Sequence, residues 1–496
     1  MLELWFVSFI AEAILLLLSL LWRWRRPLAA LVAVFIVVTT FRLCLQLGWV
    51  IGFPFAFLAV FRVGNMLRIM KNRMHARYLK SATMRTSFVV FLFHPLIVSL
   101  LVLGAELGKH DSLRLMMIVQ LTGAVIILAT VVHNAFKLSF KKPEEYLSDS
   151  ELPTVTVAIP ARNETQELEE CLNSLIANEY PKLEIIVLDD CSQDKTADVI
   201  RSFAQKGVRF VGGGPPADRW LAKNQAYEML YREASGDLIL FCGVDARFGP
   251  QAVRSMVNLM HARGKSMLSV LPSRSSSSPA SAFIQPMRYW WELALPRRLF
   301  NRPAVLSTCW MIKRTSLKKL GGFAAVSHSI LPEGFFAREL VRTDSYSFVR
   351  SSNELDVMTV KPFAEQYMSA IRVRYPQIRR RPEWALLLTA ANILFLLLPF
   401  VFFVISFWKA DINTVVAGVT CLFLVVAHVI VVNITDPANS MLALVSFPVA
   451  AFSELIIGYS SMLRYEFFTV SWKDRNICIP VMHVVPRLPS VTADSE

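Results

Sequence analysis

Asp189 and Asp190 close the run "LEIIVLDD", and Asp245 stands just past "GDLILFCG", so three carboxylates follow two apolar stretches. Carboxylates gathered at one edge accept hydrogen bonds from a base or ribose and ligate a hard divalent cation, which neutralises a pyrophosphate. One such residue alone is ordinarily a turn or cap. Three at the ends of successive strands point to a site. A cation completes the set: "DRWLAKNQA" supplies Lys223 with Trp220 beside it, where a solvated helix lysine is the other reading. The 7 cysteines are scattered without a CxxC pair, so neither a zinc site nor a disulfide framework is indicated.

These side chains need strands to place them. "TVTVAIPARNE" reads as a strand ending at Pro160 with a helix from near Glu164, and "LEIIVLDDCSQDKTADVI" repeats the unit, with Asp194 or Thr196 as its helix cap. Successive strand-turn-helix units predict a mostly parallel sheet whose ligands bind beyond the carboxyl ends of its strands. Asp189, Asp190 and Asp245 then gather at one edge.

At 496 residues and 54% hydrophobic, the chain is too long for one ordinary domain and too apolar for a soluble one. Much of its net charge of +14 lies beside apolar runs, in "RWRR", in 62–85 and in "KLSFKK", which reads as positive-inside topology and anionic headgroups rather than nucleic acid. Spans of roughly 20 residues fit at 4–21, at 27–61 as a tight pair, at 87–107 and at 113–136. The first, with no basic stretch before it and "RWRR" after, reads as a retained anchor. The expected organisation is a transmembrane region of about five spans at 1–138, a linker at 139–152, a cytosolic α/β domain at 153–383, a second transmembrane region at 384–463 and a polar tail at 464–496. Apolar runs at 384–408, 413–433 and 440–462 allow three crossings, or two crossings plus an interfacial segment that keeps the tail beside the domain; the second is expected. "SRSSSSPASA" reads as a flexible loop, and the aromatic, basic stretch 284–303 as an interfacial segment that admits a lipid. Arg42, His94, Glu106, His428 and Glu454 stand inside or at the ends of apolar runs, where ionisable groups mark lumenal or acceptor contacts unless they snorkel.

"VAIPARNE", "VLDDCSQDKT", "RWLAKNQA" and "LILFCGVDARFGP" occur in an order and spacing that resembles the family 2 glycosyltransferases, and "LGGF" and "VSWKDR" resemble two further family marks. The Trp220 and Lys223 element is most similar to the lipid-glycosylating branch, that of ceramide glucosyltransferases and of bacterial hopanoid or carotenoid glycosyltransferases. The resemblance implies a GT-A fold, Rossmann-like, inserted between two transmembrane helix bundles. It implies a nucleotide-diphosphate sugar donor, a UDP-sugar first, a membrane lipid acceptor, and transfer with inversion. Residue by residue, it puts Pro160, Arg162 and Glu164 in the nucleotide pocket, Asp190 near the uracil or ribose, Lys223 at the pyrophosphate and Asp245 beside Mg²⁺ or Mn²⁺.

Three departures matter. The family's Asp-x-Asp aligns through "RFGP" to Gly243 and Asp245, which weakens metal use without removing it, since backbone, water and diphosphate oxygens complete a hard-ion shell. The family's base, the Asp of a Glu-Asp pair, aligns to Gly334 after Glu333. Glu333 then either takes the acceptor proton or opens the helix from 334, and Glu339 is a poorer base. In the family's Gln-x-x-Arg-Trp element, Ile371 replaces Gln while Arg374 and Tyr375 hold the last two places, so Arg372 and Arg374 bind diphosphate or sit at headgroups. The 379–381 cluster reads as a headgroup contact. Lost carboxylates favour a rival reading, a silent nucleotide-sugar-binding or scaffold subunit. A processive polysaccharide synthase comes third, disfavoured by the broken element.

Overall fold

The computed structural model describes residues 25–47, 110–139, 146–218, 220–274, 279–283, 285–294, 303–378, 380–407, 411–467, 470–473 and 475–476, with single positions between 4 and 15 and between 55 and 70. The chain forms two compact units, one of Met1–Ala124, Gln377–Cys421 and Leu455–Phe468, the other of Val125–Pro376, Leu422–Glu454 and Thr469–Glu496.

The second unit is built on a seven-stranded sheet in the order β3-β2-β1-β4-β8-β6-β9. The strands are β1 (Val155–Ala161), β2 (Leu183–Asp189), β3 (Val208–Gly212), β4 (Leu238–Cys242), β6 (Met267–Leu271), β8 (Cys309–Lys313) and β9 (Tyr346–Arg350). Buried on both faces, its inner strands carry continuous apolar runs rather than an alternating pattern. Val155, Val157 and Ile159 pack with Ile185, Val187 and Leu240 against helices Gln166–Ile176 and Ala252–Ala262. Ala158, Ile186, Leu188, Ile239 and Phe241 face the other way, against helices Ala222–Glu233 and Pro332–Val341. Under the latter pair Phe241 stacks on Trp310 with ring centroids 4.5 Å apart.

Four strands, β3, β2, β1 and β4, run parallel as the sequence pattern leads one to expect. The sheet as a whole is mixed, because β8 runs antiparallel between β4 and β6. The departure matters: Cys309 pairs with Cys242, so β8 enters from the edge where β1, β2 and β4 end and brings Ser307 and Thr308 there. A second sheet of three strands pairs β10 (Val357–Thr359) antiparallel with β5 (Ala246–Phe248) and parallel with β7 (Ser273–Arg274). A hairpin of β11 (Ser471–Trp472) and β12 (Arg475–Asn476) completes the unit.

Five helices are long and apolar enough to cross a membrane, with spans at Pro27–Gln46, Arg114–Lys137, Leu387–Phe407, Ile412–Thr435 and Ala443–Glu466. Within the 27–61 run the described residues form helix Arg25–Leu47 and then helical positions from 55 onward, with 48–54 outside the described residues; the 87–107 run lies outside them as well. In the first unit, Ile393–Leu397 make a π-helical turn just before Pro399, and Leu394 O accepts a hydrogen bond from Gln120 Nε2 at 3.0 Å. Proline lacks the N–H that continues a helical ladder, so a carbonyl nearby needs an outside donor. Of the ionisable residues noted in apolar runs, Glu454 is paired, His428 faces Ser446 at 3.4 Å and Arg42 is exposed, while His94 and Glu106 lie outside the described residues.

Candidate functional site

A cavity of about 600 Å³ opens at the carboxyl ends of β1 and β4. Pro160, Arg162 and Glu164 reach it from the end of β1, Lys223 from the first turn of helix Ala222–Glu233, Asp245 from beyond β4, and Arg372 from helix Phe363–Gln377. Asp189, Asp190, Trp220, Glu333 and Arg374 are not in its wall.

One end of the cavity is closed by the β11–β12 hairpin. Lys473 pairs with Glu164 at 2.8 Å, and Arg475 with Asp190 at 2.6 Å. Arg162 ties the same corner together, donating to Asp190 O, Cys191 O and Lys473 O. Burial pushes the carboxyls of Glu164 and Asp190 up from their ordinary values even with these cations beside them. Ser471, Lys473 and Arg475 themselves face the cavity. Asp189 instead accepts from Ser192 N at 3.1 Å and holds the turn after β2, and Trp220 packs beside the aromatic core.

The middle of the cavity is cationic. Lys223 is fixed by its neighbour Asn224, whose amide donates to Val326 O, Ser327 O and Ser329 O. Its ammonium lies over the Tyr227 ring, 5.3 Å from the centroid, and makes no hydrogen bond or ion pair among the described residues. Burial pushes its pKa down, with Lys361 and Arg372 adding repulsion and Glu333 and Asp245 opposing. Glu333 is buried behind this lysine, 2% exposed, and its Oε2 has no hydrogen-bond partner among the described residues. Burial raises its pKa, and Lys223 acts against that rise. Glu339 pairs with Arg342 at 2.9 Å.

Arg374, expected at the substrate, is instead 5% exposed and paired with Glu454, donating from Nη2 to Glu454 Oε2 at 2.7 Å and to Met287 O at 2.9 Å. Two residues along a helix turn the side chain by about 200°, so Arg372 faces the cavity and Arg374 faces away.

Asp245 is held on three sides. Its carbonyl accepts from Val360 N at 2.9 Å, and its Oδ2 lies 3.1 Å from Thr359 Oγ1 and 3.4 Å from Lys361 Nζ. Gly243 explains the pose: a Cβ there would stand 2.5 Å from Asp245 Oδ1, so the carboxylate folds back over a position that a side chain would fill. A divalent ion asks for six or more oxygen ligands of suitable charge. Here the Asp245 carboxylate is engaged by an ammonium and a hydroxyl, and Lys223 and Arg372 are among the further cations that line the cavity. No group of three His, Cys, Asp or Glu comes together among the described residues. These residues do not fit a divalent-metal site.

The "LGGF" stretch is a backbone device. Gly321 and Gly322 have φ of 86° and 62°, and Glu228 Oε2 accepts from Phe323 N at 3.0 Å, fastening the turn to helix Ala222–Glu233. Gly322→Ala is expected to destabilise the protein by about 1–2 kcal/mol, the cost of left-handed backbone for an L-residue, because its Cβ would also stand 3.0 Å from Glu228 Oε2. Thermal unfolding checks this; an unchanged midpoint contradicts it.

Sequence reading missed Lys361, Ser307 and Thr308, which reach the cavity through pairings between distant strands, and it marked "VSWKDR" without assigning Lys473 or Arg475. Residues 156–321 match the model of glycosyl transferase family 2. That stretch covers the parallel half of the sheet, Lys223, Asp245 and the first glycine of the two-glycine turn, Gly321. The chain is similar to the probable glycosyltransferase YdaM of Bacillus subtilis (strain 168), 30% identical over 185 residues, 35% of this chain and 43% of that protein. It is similar also to 4,4'-diaponeurosporenoate glycosyltransferase of Staphylococcus aureus (strain bovine RF122 / ET3-1), 34% identical over 122 residues, 24% of this chain and 32% of that one. The chain thus spans less than half the length of either relative. Among solved structures, mannosyltransferase PcManGT from Pyrobaculum calidifontis, in complex with GDP-Man and Mn²⁺, is 17% identical with a TM-score of 0.40, covering 70% of this chain and 98% of that one. The family match and both relatives support a glycosyltransferase.

Proposed function

We propose that the cavity binds a nucleotide-diphosphate sugar, a UDP-sugar first, and that the chain transfers the sugar to a membrane lipid with inversion. The observation that carries this reading is Lys223, which has no hydrogen bond or ion pair among the described residues, beside Arg372 and Lys361 in a cavity at the carboxyl edge of the sheet. Such a cluster of like charges is stabilised by an anion, and such an edge is where open α/β sheets take their ligands. Arg162, Glu164, Lys473 and Arg475 frame the nucleoside end.

In the reaction an acceptor hydroxyl attacks the anomeric carbon from the face opposite the diphosphate. The new C–O bond forms as the bond to the phosphate oxygen breaks, and the nucleoside diphosphate leaves with that electron pair. The acceptor proton passes to Glu333, whose raised pKa and unsatisfied Oε2 suit a general base. A lipid acceptor is supported by five long apolar helices and by a relative named for 4,4'-diaponeurosporenoate. The basic flanks "RWRR" and "KLSFKK" support a cytosolic face for the domain. One observation favours the silent-subunit reading, namely that Glu333 is not in the cavity wall. The test is the purified chain in lipid bilayers with labelled UDP- and GDP-sugars and a lipid extract. Label moving into the organic phase supports the transferase; donor binding without transfer or hydrolysis supports the silent subunit.

We read helix Ala443–Phe467 as an interfacial segment rather than a crossing. Asp436 before it is 3.9 Å from Arg274, Phe447 packs on Trp290, Glu454 pairs with Arg374, and the hairpin after it pairs with Glu164 and Asp190. With the native cysteines replaced, Met441→Cys and Ser471→Cys are expected to react with an impermeant maleimide from the same side. Labelling from opposite sides means that the helix crosses.

A further inference from the structure

We propose that the donor's diphosphate is neutralised by Lys361, together with Lys223 and Arg372, in place of a divalent cation, and that Asp245 serves to position Lys361. This rests on the reading of the cavity as a donor site. Three features carry it. Pairing of β10 with β5 sets Thr359 opposite Ala246, so the residues that follow run beside Asp245 and carry Lys361 into the cavity. The absence of a side chain at Gly243 leaves room for the Asp245 carboxylate to fold back, where Thr359 and Lys361 hold it. The same change removes one acidic group where the charge balance is already positive, with Lys223, Arg372 and Lys361 all facing in and Lys223 without an ion pair among the described residues. A metal ion there would meet three cations and displace Lys361 from the Asp245 carboxylate. A diphosphate would meet charge-assisted donors, which bind phosphate oxygens strongly.

The experiment is isothermal titration of UDP, GDP and UMP into the full chain in lipid nanodiscs, once with EDTA and once with Mn²⁺. The expected result is that the preferred diphosphate binds within about threefold as tightly in the two buffers. Lys361→Met should weaken it about tenfold or more, with UMP changed far less. Lys361→Arg should keep it within about threefold, which separates lost charge from lost fold, and unfolding midpoints of both variants complete that control. If diphosphate binding vanishes in EDTA and returns with Mn²⁺, the inference is overturned while the transferase reading stands. If Lys361→Met folds and binds as the parent does, the inference is overturned likewise. If neither diphosphate binds in either buffer, the donor-site reading falls and the inference falls with it.

Discussion

Glu333→Gln is expected to lower turnover by roughly 10²- to 10⁴-fold, the usual worth of a positioned general base, while donor affinity changes little. The substitution keeps size and helix start and removes only the proton acceptor. Glu333 is buried in the first turn of helix Pro332–Val341 beside Lys223, so the neutral amide suits its surroundings at least as well as the carboxylate does. The pH dependence has a definite sign. A base acts deprotonated, and burial favours the protonated form of Glu333, with Lys223 opposing. Turnover therefore falls as pH drops through a pKa above the ordinary glutamate range, and Lys223→Met moves that limb to still higher pH. Unchanged turnover in Glu333→Gln means that the residue merely opens the helix.

Arg374→Ala should destabilise the domain by about 3–5 kcal/mol, because removing one partner of a buried ion pair leaves the other charge uncompensated. Both Arg374 and Glu454 are nearly inaccessible, at 5% and 3%. Glu454→Ala should cost a similar amount. The double variant Arg374→Met with Glu454→Leu should recover most of the loss, since apolar replacement of a whole buried pair is often neutral or better. Thermal unfolding in lipid measures all three. A double variant no better than the sum of the two singles contradicts the energetic coupling of the two side chains. An Arg374→Ala protein of parental stability with weakened donor binding would instead restore Arg374 to the substrate.

The parallel half of the fold was legible because its signals are local. Each of β1, β2 and β4 is an apolar run ending in a polar turn, and where one strand ends is where Asp190 or Asp245 must stand. The glycines of "LGGF" were legible as a mark, and their positive φ supplies the physical reason for it. What could not be read was set by long-range pairing. Nothing in "VMTVKPF" announces that Lys361 will meet Asp245, 116 residues away. Antiparallel β8, which carries Thr308 to Gly243, depends on the path of the chain between β6 and β8 rather than on its own composition. A motif taken as a unit hid a further point: Arg372 and Arg374 were read together, at the diphosphate or at headgroups, and helical geometry sends them to opposite sides. Gly243 looked like a missing ligand and is better understood as room for a carboxylate that serves a lysine.

The most direct test of the central claim is photolabelling of the full chain in bilayers with 5-azido-UDP-glucose, followed by mapping of the labelled peptides. Light-dependent label in the segments holding residues 160–164 or 471–475, suppressed by excess UDP, is the result expected of a donor cavity walled by Arg162, Glu164, Lys473 and Arg475. Label absent from both segments, or present but indifferent to UDP, would contradict it.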